Sequence, residues 1–192
     1  MNFIWKFFYL IFKFLKIAES KYQKQVLKNH PNAEISADLK TGINNFYEIH
    51  QGVNKIIIEK NVRWNSNNMI RIYKNSELIL RENAYFSDFV SINCLHKIEI
   101  GKNSWIGEGS KLYDHNHSYV TEPVYEWKIR EFEKAPIIIG ENVKIYSNVT
   151  ILKGVTIGDN VIIGSGCTIY KDIPANSIII NKSENIIKQH SI

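Results

Sequence analysis

The chain has 192 residues, enough for one well-cored domain and short for two. Hydrophobic residues make up 44%, which excludes an intrinsically disordered chain, and Ile is common where Ala is scarce, which disfavours a helical bundle. The net charge is +5, but Lys and Arg are dispersed and not interleaved with aromatics, so no nucleic-acid surface is expected, whereas an anionic ligand or an anionic membrane face suits the excess.

From the start, residues 1–18 are dominated by Phe, Ile, Leu, Trp and Tyr, and no acid occurs before Glu19. At about 100° per residue, Asn2, Lys6, Tyr9, Lys13, Lys16 and Ser20 form one polar stripe on an otherwise apolar cylinder. A spanning helix would hold those lysines at membrane depth, and a secretory signal would carry an unbroken apolar run and a small-residue cleavage site. Residues 1–20 are therefore expected to form an amphipathic helix on a membrane surface, with Trp5 and Tyr9 at the headgroups. Packing of this helix on the protein itself or on a partner subunit is the competing reading. The cytoplasmic face of a cell membrane suits the lysines. It also suits Cys94 and Cys167, which are far apart in apolar contexts and read as buried free thiols of a reducing compartment. Residues 21–52 show no clear period and are expected to be an irregular lead-in.

From residue 53 a repeat of six residues takes over, and it is regular towards the end. Ile139, Ile145, Ile151, Ile157, Ile163 and Ile169 recur every six residues, each followed four positions on by Val143, Val149, Val155, Val161, Cys167 and Ile173. Gly, Asn and Asp fill the positions between. Such a chain turns a corner every six residues, so three repeats close one triangular coil, with the aliphatics inside and the turn formers at the corners. Ile100, Ile106 and Leu112 extend the register upstream; Ile58, Trp64, Ile72, Leu78, Leu80, Phe86 and Ile92 keep it in blocks with slips between them. The expected fold is thus an all-β parallel β-helix over 53–175, followed by a C-terminal tail at 176–192. The step from Leu112 to Ile139 is not a multiple of six, so a loop is ejected at 113–136, and it opens with Asp114-His115-Asn116-His117.

IGKNSWIGEGSKLYDHNHSY from Ile100 and IIIGENVKIYSNVTILKGVTIGDNVIIGSGCTIYKDIPANSI from Ile137 resemble the left-handed β-helix hexapeptide-repeat acyltransferases, in particular the O-acetyltransferases of bacterial surface polysaccharides. The resemblance implies a left-handed coil and a homotrimer with active sites between subunits. It implies acetyl-CoA as co-substrate, a glycan acceptor and no metal. It gives the general base to His117, with His115 the weaker candidate and Asp114 able to orient a histidine or cap a turn. It places Ser147 and Ser165 along the pantetheine arm, Tyr170 and Lys171 near the adenosine end, and Lys188 at a phosphate. Two departures stand out. Lys144 and Tyr146 occupy positions where the family usually has Trp and Gly, so the acceptor pocket would be rebuilt with Tyr119, Tyr125 or Trp127. Asn181-Lys182-Ser183-Glu184 replaces the usual Gly-Asn-Pro-Ala.

Three other readings compete. One is N-acetylation of an amino sugar on a nucleotide carrier. Another is a catalytically inactive trimeric scaffold. The third is a γ-type carbonic anhydrase holding zinc through His96, His115 and His117, whose spacing fits poorly.

Overall fold

A computed structural model describes residues 3–182. A long helix, α1 (Phe3–Lys28), leads into the coils. Coil 1 is β1 (Ala33–Ile35), β2 (Lys40–Thr41) and β3 (Phe46–Ile49); coil 2 is β4 (Lys55–Ile58), β5 (Arg63–Trp64) and β6 (Met69–Ile72). Coil 3 is β7 (Glu77–Leu80), β8 (Tyr85–Phe86) and β9 (Ser91–Cys94); coil 4 is β10 (Lys97–Ile100), β11 (Trp105–Ile106) and β12 (Lys111–Tyr113). After a hairpin, β13 (His115–Val120) and β14 (Glu126–Lys134), coil 5 follows with β15 (Ile137–Ile139), β16 (Lys144–Ile145) and β17 (Thr150–Leu152). Coil 6 is β18 (Thr156–Ile157), β19 (Ile162–Ile163) and β20 (Thr168–Ile169), and β21 (Ile178–Ile179) begins another turn. Equivalent strands stack in parallel into three sheets, A from β1 to β18, B from β2 to β21 and C from β3 to β20.

The fold is the expected one, and the aliphatic ladder points inward as its spacing requires. Every residue of the Ile139–Ile169 series is buried, as is every partner from Val143 to Ile173. Fully burying one such side chain is worth roughly 1.5–3 kcal/mol, so the stacked interior is the main source of stability. The corner between sheets A and B explains the asparagines. Asn61, Asn83, Asn103, Asn142, Asn160 and Asn176 all have φ between 55° and 61°, the left-handed region that Asn tolerates better than other side chains. Their amides form a ladder, Asn83 to Asn103 at 2.8 Å, Asn103 to Asn142 at 3.1 Å, Asn142 to Asn160 at 3.3 Å and Asn160 to Asn176 at 3.0 Å.

Two expectations about the chain's organisation are corrected. Residues 21–52 are not an irregular lead-in: the helix continues through Lys28, and the first coil occupies 33–49, so the coils begin before residue 53. The helix runs beyond residue 20 because its far end has something to bury. Leu27 is 1% exposed in the core, Ser20 Oγ donates to the Thr41 carbonyl (3.2 Å), and Glu19 accepts from the Asn44 N–H (2.6 Å). The region 176–192 is likewise not all tail, since β21 pairs with β19. Cys94 and Cys167 are free and buried.

On the outer face of sheet A, Arg81 bridges Glu59 (2.9 Å) and Glu99 (2.6 Å), and Lys97 also reaches Glu99 (3.2 Å). The Arg81 hydrogen bond holds the Glu59 carboxyl below its ordinary range. A depressed carboxylate stabilises the fold above the unfolded value and loses that effect as pH falls through the folded value. Arg81→Met is therefore expected to lower Tm by about 2–4 °C at neutral pH, the worth of ~1 kcal/mol in a domain of this size. The gap between variant and wild type should close on acidification below about pH 4. A constant gap at all pH values in thermal melts would assign the loss to packing instead.

Candidate active site

β12 ends at Tyr113, and the next side chain, Asp114, turns into the protein and is fully buried. Its carboxylate accepts the Leu95 N–H (2.8 and 3.1 Å) and the His96 N–H (2.7 Å), and its Oδ1 lies 3.2 Å from His115 Nδ1. A charge can be buried only when satisfied in this way. Asp114 thus serves two of the roles its position allows, holding a backbone turn and orienting a histidine, and that histidine is His115. The Ala135 N–H donates to the Asp114 carbonyl (3.0 Å) and closes the base of the hairpin. Lys153 ties Glu133 of β14 to coil 5 (3.1 Å). The ejected segment is therefore an ordered two-stranded hairpin rooted between coils 4 and 5.

In β13 alternate residues share a face, so His115 and His117 point the same way. His115 has 14% side-chain exposure and sits among Tyr113 (6.3 Å, edge-on), Phe132 (5.4 Å) and Tyr73 (6.4 Å). A carboxylate can only accept, so in this contact Nδ1 carries the proton and Nε2 is the basic nitrogen. His117 is more exposed; its Nδ1 lies 3.1 Å from the Ile129 carbonyl, which selects the same tautomer, and its ring is 4.6 Å from Phe132. The two histidines, with Tyr113, Asn116, Tyr119, Tyr125 and Leu152, line a cavity of about 560 Å³.

The remaining site residues divide between two corners. Tyr113 is paired with Leu152, and Tyr170 follows Ile169 one coil further on, so Tyr170 and Lys171 share the corner where the histidines stand. Lys171 Nζ is 5.7 Å from the Tyr170 ring. Ser147 and Ser165 lie at the other edge of sheet C, and Lys144 stands next to them in β16 of sheet B. There Gly166 N–H donates to the Ser147 carbonyl (3.0 Å), and Lys144 and Ser147 border a smaller cleft of about 160 Å³ with Trp105 and Tyr146. The width of sheet C, ~15–20 Å at 3.3 Å per residue, separates the two groups, so one protomer does not bring Ser147 and Ser165 to His115. Tyr119 joins the histidine cavity, and Trp127 pairs with it through the backbone. Lys188, Ser183 and Glu184 lie outside the described residues. Among the described residues no three His, Cys, Asp or Glu side chains converge as a metal set; the His96 side chain is exposed, and its backbone, not its ring, meets Asp114.

Sequence reasoning missed Tyr73, Phe132, Leu152 and Trp105. Trp105 is the most telling, because it is the in-register neighbour of Lys144 and so puts an indole beside the position where the resembled family has its Trp. Its edge-to-face contact with Tyr85 (5.5 Å) holds it on the outer surface of sheet B. Its place one coil before Lys144 was readable from the repeat; Leu152 meets Tyr113 by strand pairing across the ejected segment, and Tyr73 and Phe132 come together only around His115.

Residues 136–171 match the bacterial transferase hexapeptide family, six repeats. The chain is 28% identical over 120 residues to a candidate O-acetyl transferase of lipopolysaccharide biosynthesis from Escherichia coli (strain K12), covering 59% of this chain and 61% of that protein. It is 28% identical over 113 residues to a candidate colanic acid biosynthesis acetyltransferase of the same organism, covering 59% of each. The chain thus spans about three fifths of the length of these relatives. Among solved structures, a hexapeptide-repeat containing acetyltransferase from Vibrio cholerae superposes with a TM-score of 0.51 at 18% identity, over 83% of this chain and 74% of that one, a likeness of fold. Repeat, inward ladder and coil stacking agree, and the chain is a hexapeptide-repeat parallel β-helix resembling the O-acetyltransferases of that family.

Proposed function

We propose that this protein transfers an acetyl group from acetyl-CoA to a hydroxyl of a bacterial surface glycan or its lipid-linked precursor. The observation that carries the reading is the Asp114–His115 pair, opening on a cavity at the root of a hairpin ejected from hexapeptide coils. In this reading His115 Nε2 accepts the proton of the acceptor hydroxyl as its oxygen attacks the thioester carbonyl. The buried Asp114 carboxylate stabilises the imidazolium that forms. The tetrahedral adduct then expels the CoA thiolate, which takes the proton back. His117, on the same face, contacts the acceptor or serves as the second candidate base. Tyr170 and Lys171, at the same corner two coils beyond Tyr113, suit the adenosine and phosphate end of CoA. The separation of Ser147 and Ser165 from the histidines within one protomer supports a homotrimer with active sites between subunits, in which these serines would come to the site from a neighbouring protomer. The apolar belt of α1 supports attachment to the cytoplasmic face of a membrane.

The test is incubation with acetyl-CoA and a panel of glycans, read by mass spectrometry. A gain of one acetyl group on a hydroxyl is the expected result, with CoA raising Tm. Transfer only to an amino group would assign N-acetylation. No thioester loss and no thermal shift with CoA would leave a scaffold.

A further inference from the structure

The helix α1 does more than carry an apolar belt, because its docking fixes which way that belt faces. Residues 19–28 lie across the open end of coil 1: Ser20 on Thr41, Glu19 on Asn44, Gln23 on Asn45 and Leu27 in the core. Ser20 and Leu27 lie on the same helical line as Lys6, Lys13 and Lys16. The polar stripe is therefore turned toward the coils, and Lys16 borders a groove against Thr41, Gly42 and Ser66. The opposite side is apolar and exposed: Ile4 (56%), Phe7 (54%), Phe8 (57%), Phe14 (70%) and Leu15 (57%). Among the described residues no helix is long and apolar enough to cross a membrane.

We infer that α1 lies between an anionic lipid surface and coil 1, so that the β-helix stands upright on the membrane with coil 1 nearest the lipid. This rests on the proposed membrane attachment and deepens it. The lipid surface is favoured as occupant by charge: Lys6, Lys13 and Lys16 are the only charged side chains of residues 3–18, no acid occurs before Glu19, and an anionic surface attracts such a helix across its width, which is about one Debye length. Aromatic and aliphatic side chains enter the acyl boundary, while the lysines on the far side of the helix supply its positive charge and can reach around it along their flexible stems. Coil 4, which carries Asp114 and the hairpin, is then three strand spacings above coil 1, ~14 Å, with the ~10 Å helix beneath. The site would stand ~24 Å from the lipid surface. The acceptor class that follows is a membrane-tethered glycan long enough to reach that height, modified away from its lipid end.

The fold supplies a ruler. Phe46, Met69, Ser91, Lys111, Thr150 and Thr168 are in register up sheet C, one per coil. Cys94 and Cys167 are buried, so a surface cysteine can be labelled selectively. The full chain carrying Phe46→Cys, Lys111→Cys or Thr168→Cys is labelled with a donor dye and mixed with vesicles of phosphatidylglycerol and phosphatidylcholine bearing a headgroup acceptor dye. Energy transfer is expected to fall in the order 46, 111, 168, over ~24 Å from first to last. Phe8→Glu with Phe14→Glu should abolish flotation with the vesicles while leaving the melt unchanged. Equal transfer from all three sites would mean coils lying flat, and a reversed order would mean the opposite end faces lipid; either overturns the inference. So would failure of the wild-type chain to float, or an apolar belt occupied instead by a second copy, seen as a mass that drops with the double substitution. These readouts do not depend on catalysis. A chain that stands upright but transfers no acetyl group keeps the orientation and loses the enzymatic reading.

Discussion

His115→Ala is expected to lower kcat/KM for acetyl transfer by about 10²–10⁴-fold, the usual worth of a positioned general base. The melt should stay near that of the wild type, because Asp114 keeps its two backbone donors when the imidazole is gone. His117→Ala should cost much less. Both rings receive the same tautomer, one from a carboxylate and the other from the Ile129 carbonyl, but only the carboxylate carries a charge that stabilises an imidazolium as it forms. The sequence resemblance ranks the two histidines the other way. The comparison is therefore sharp: release of CoA thiol by both variants, under matched acetyl-CoA and acceptor, decides it. A larger loss in His117→Ala would move the base to His117 and leave His115 as a packing residue among Tyr73, Tyr113 and Phe132.

What the amino-acid order reveals depends on how regular each coil is. Coils 5 and 6 repeat every 18 residues, as the Asn142–Asn160 contact shows, so the hexad is clean there. Earlier coils need 20 residues at Asn83–Asn103 and 23 at Asn44–Asn67, because the strands of sheets A and C run to four residues there in place of two or three, and the period blurs. Coil 1 was hidden for a second reason. At inward positions it carries Thr41 and Tyr47 in place of aliphatics, the Tyr47 hydroxyl accepting from Trp64 Nε1 (2.8 Å). A half-buried phenol satisfied by an indole breaks the ladder's composition while keeping its geometry. The site was legible to a similar depth. The missing multiple of six located the loop, and its first tetrapeptide held the polar centre. Which histidine the aspartate would hold was not legible, since that depends on the turn at Leu95–His96 capturing the carboxylate from outside the motif.

Asp114 is where site and fold meet, and its two substitutions should separate those roles. Asp114→Ala is expected to cost about 2–5 kcal/mol, because it leaves two donors, the buried Leu95 N–H and the part-buried His96 N–H, without their acceptor. In a domain of this size that lowers Tm by roughly 5–15 °C. Asp114→Asn is nearly isosteric and retains one acceptor oxygen, so its stability loss should be smaller. Its amide cannot take all three donors that the carboxylate takes, nor offer a negative charge to His115. Acetyl transfer by Asp114→Asn should therefore fall well out of proportion to its small drop in Tm, with acetyl-CoA affinity kept. Thermal melts and thiol-release rates on both variants check the pair of expectations. An alanine variant that melts with the wild type would show that the hairpin is not rooted at Asp114, and a fully active asparagine variant would remove the carboxylate from the chemistry.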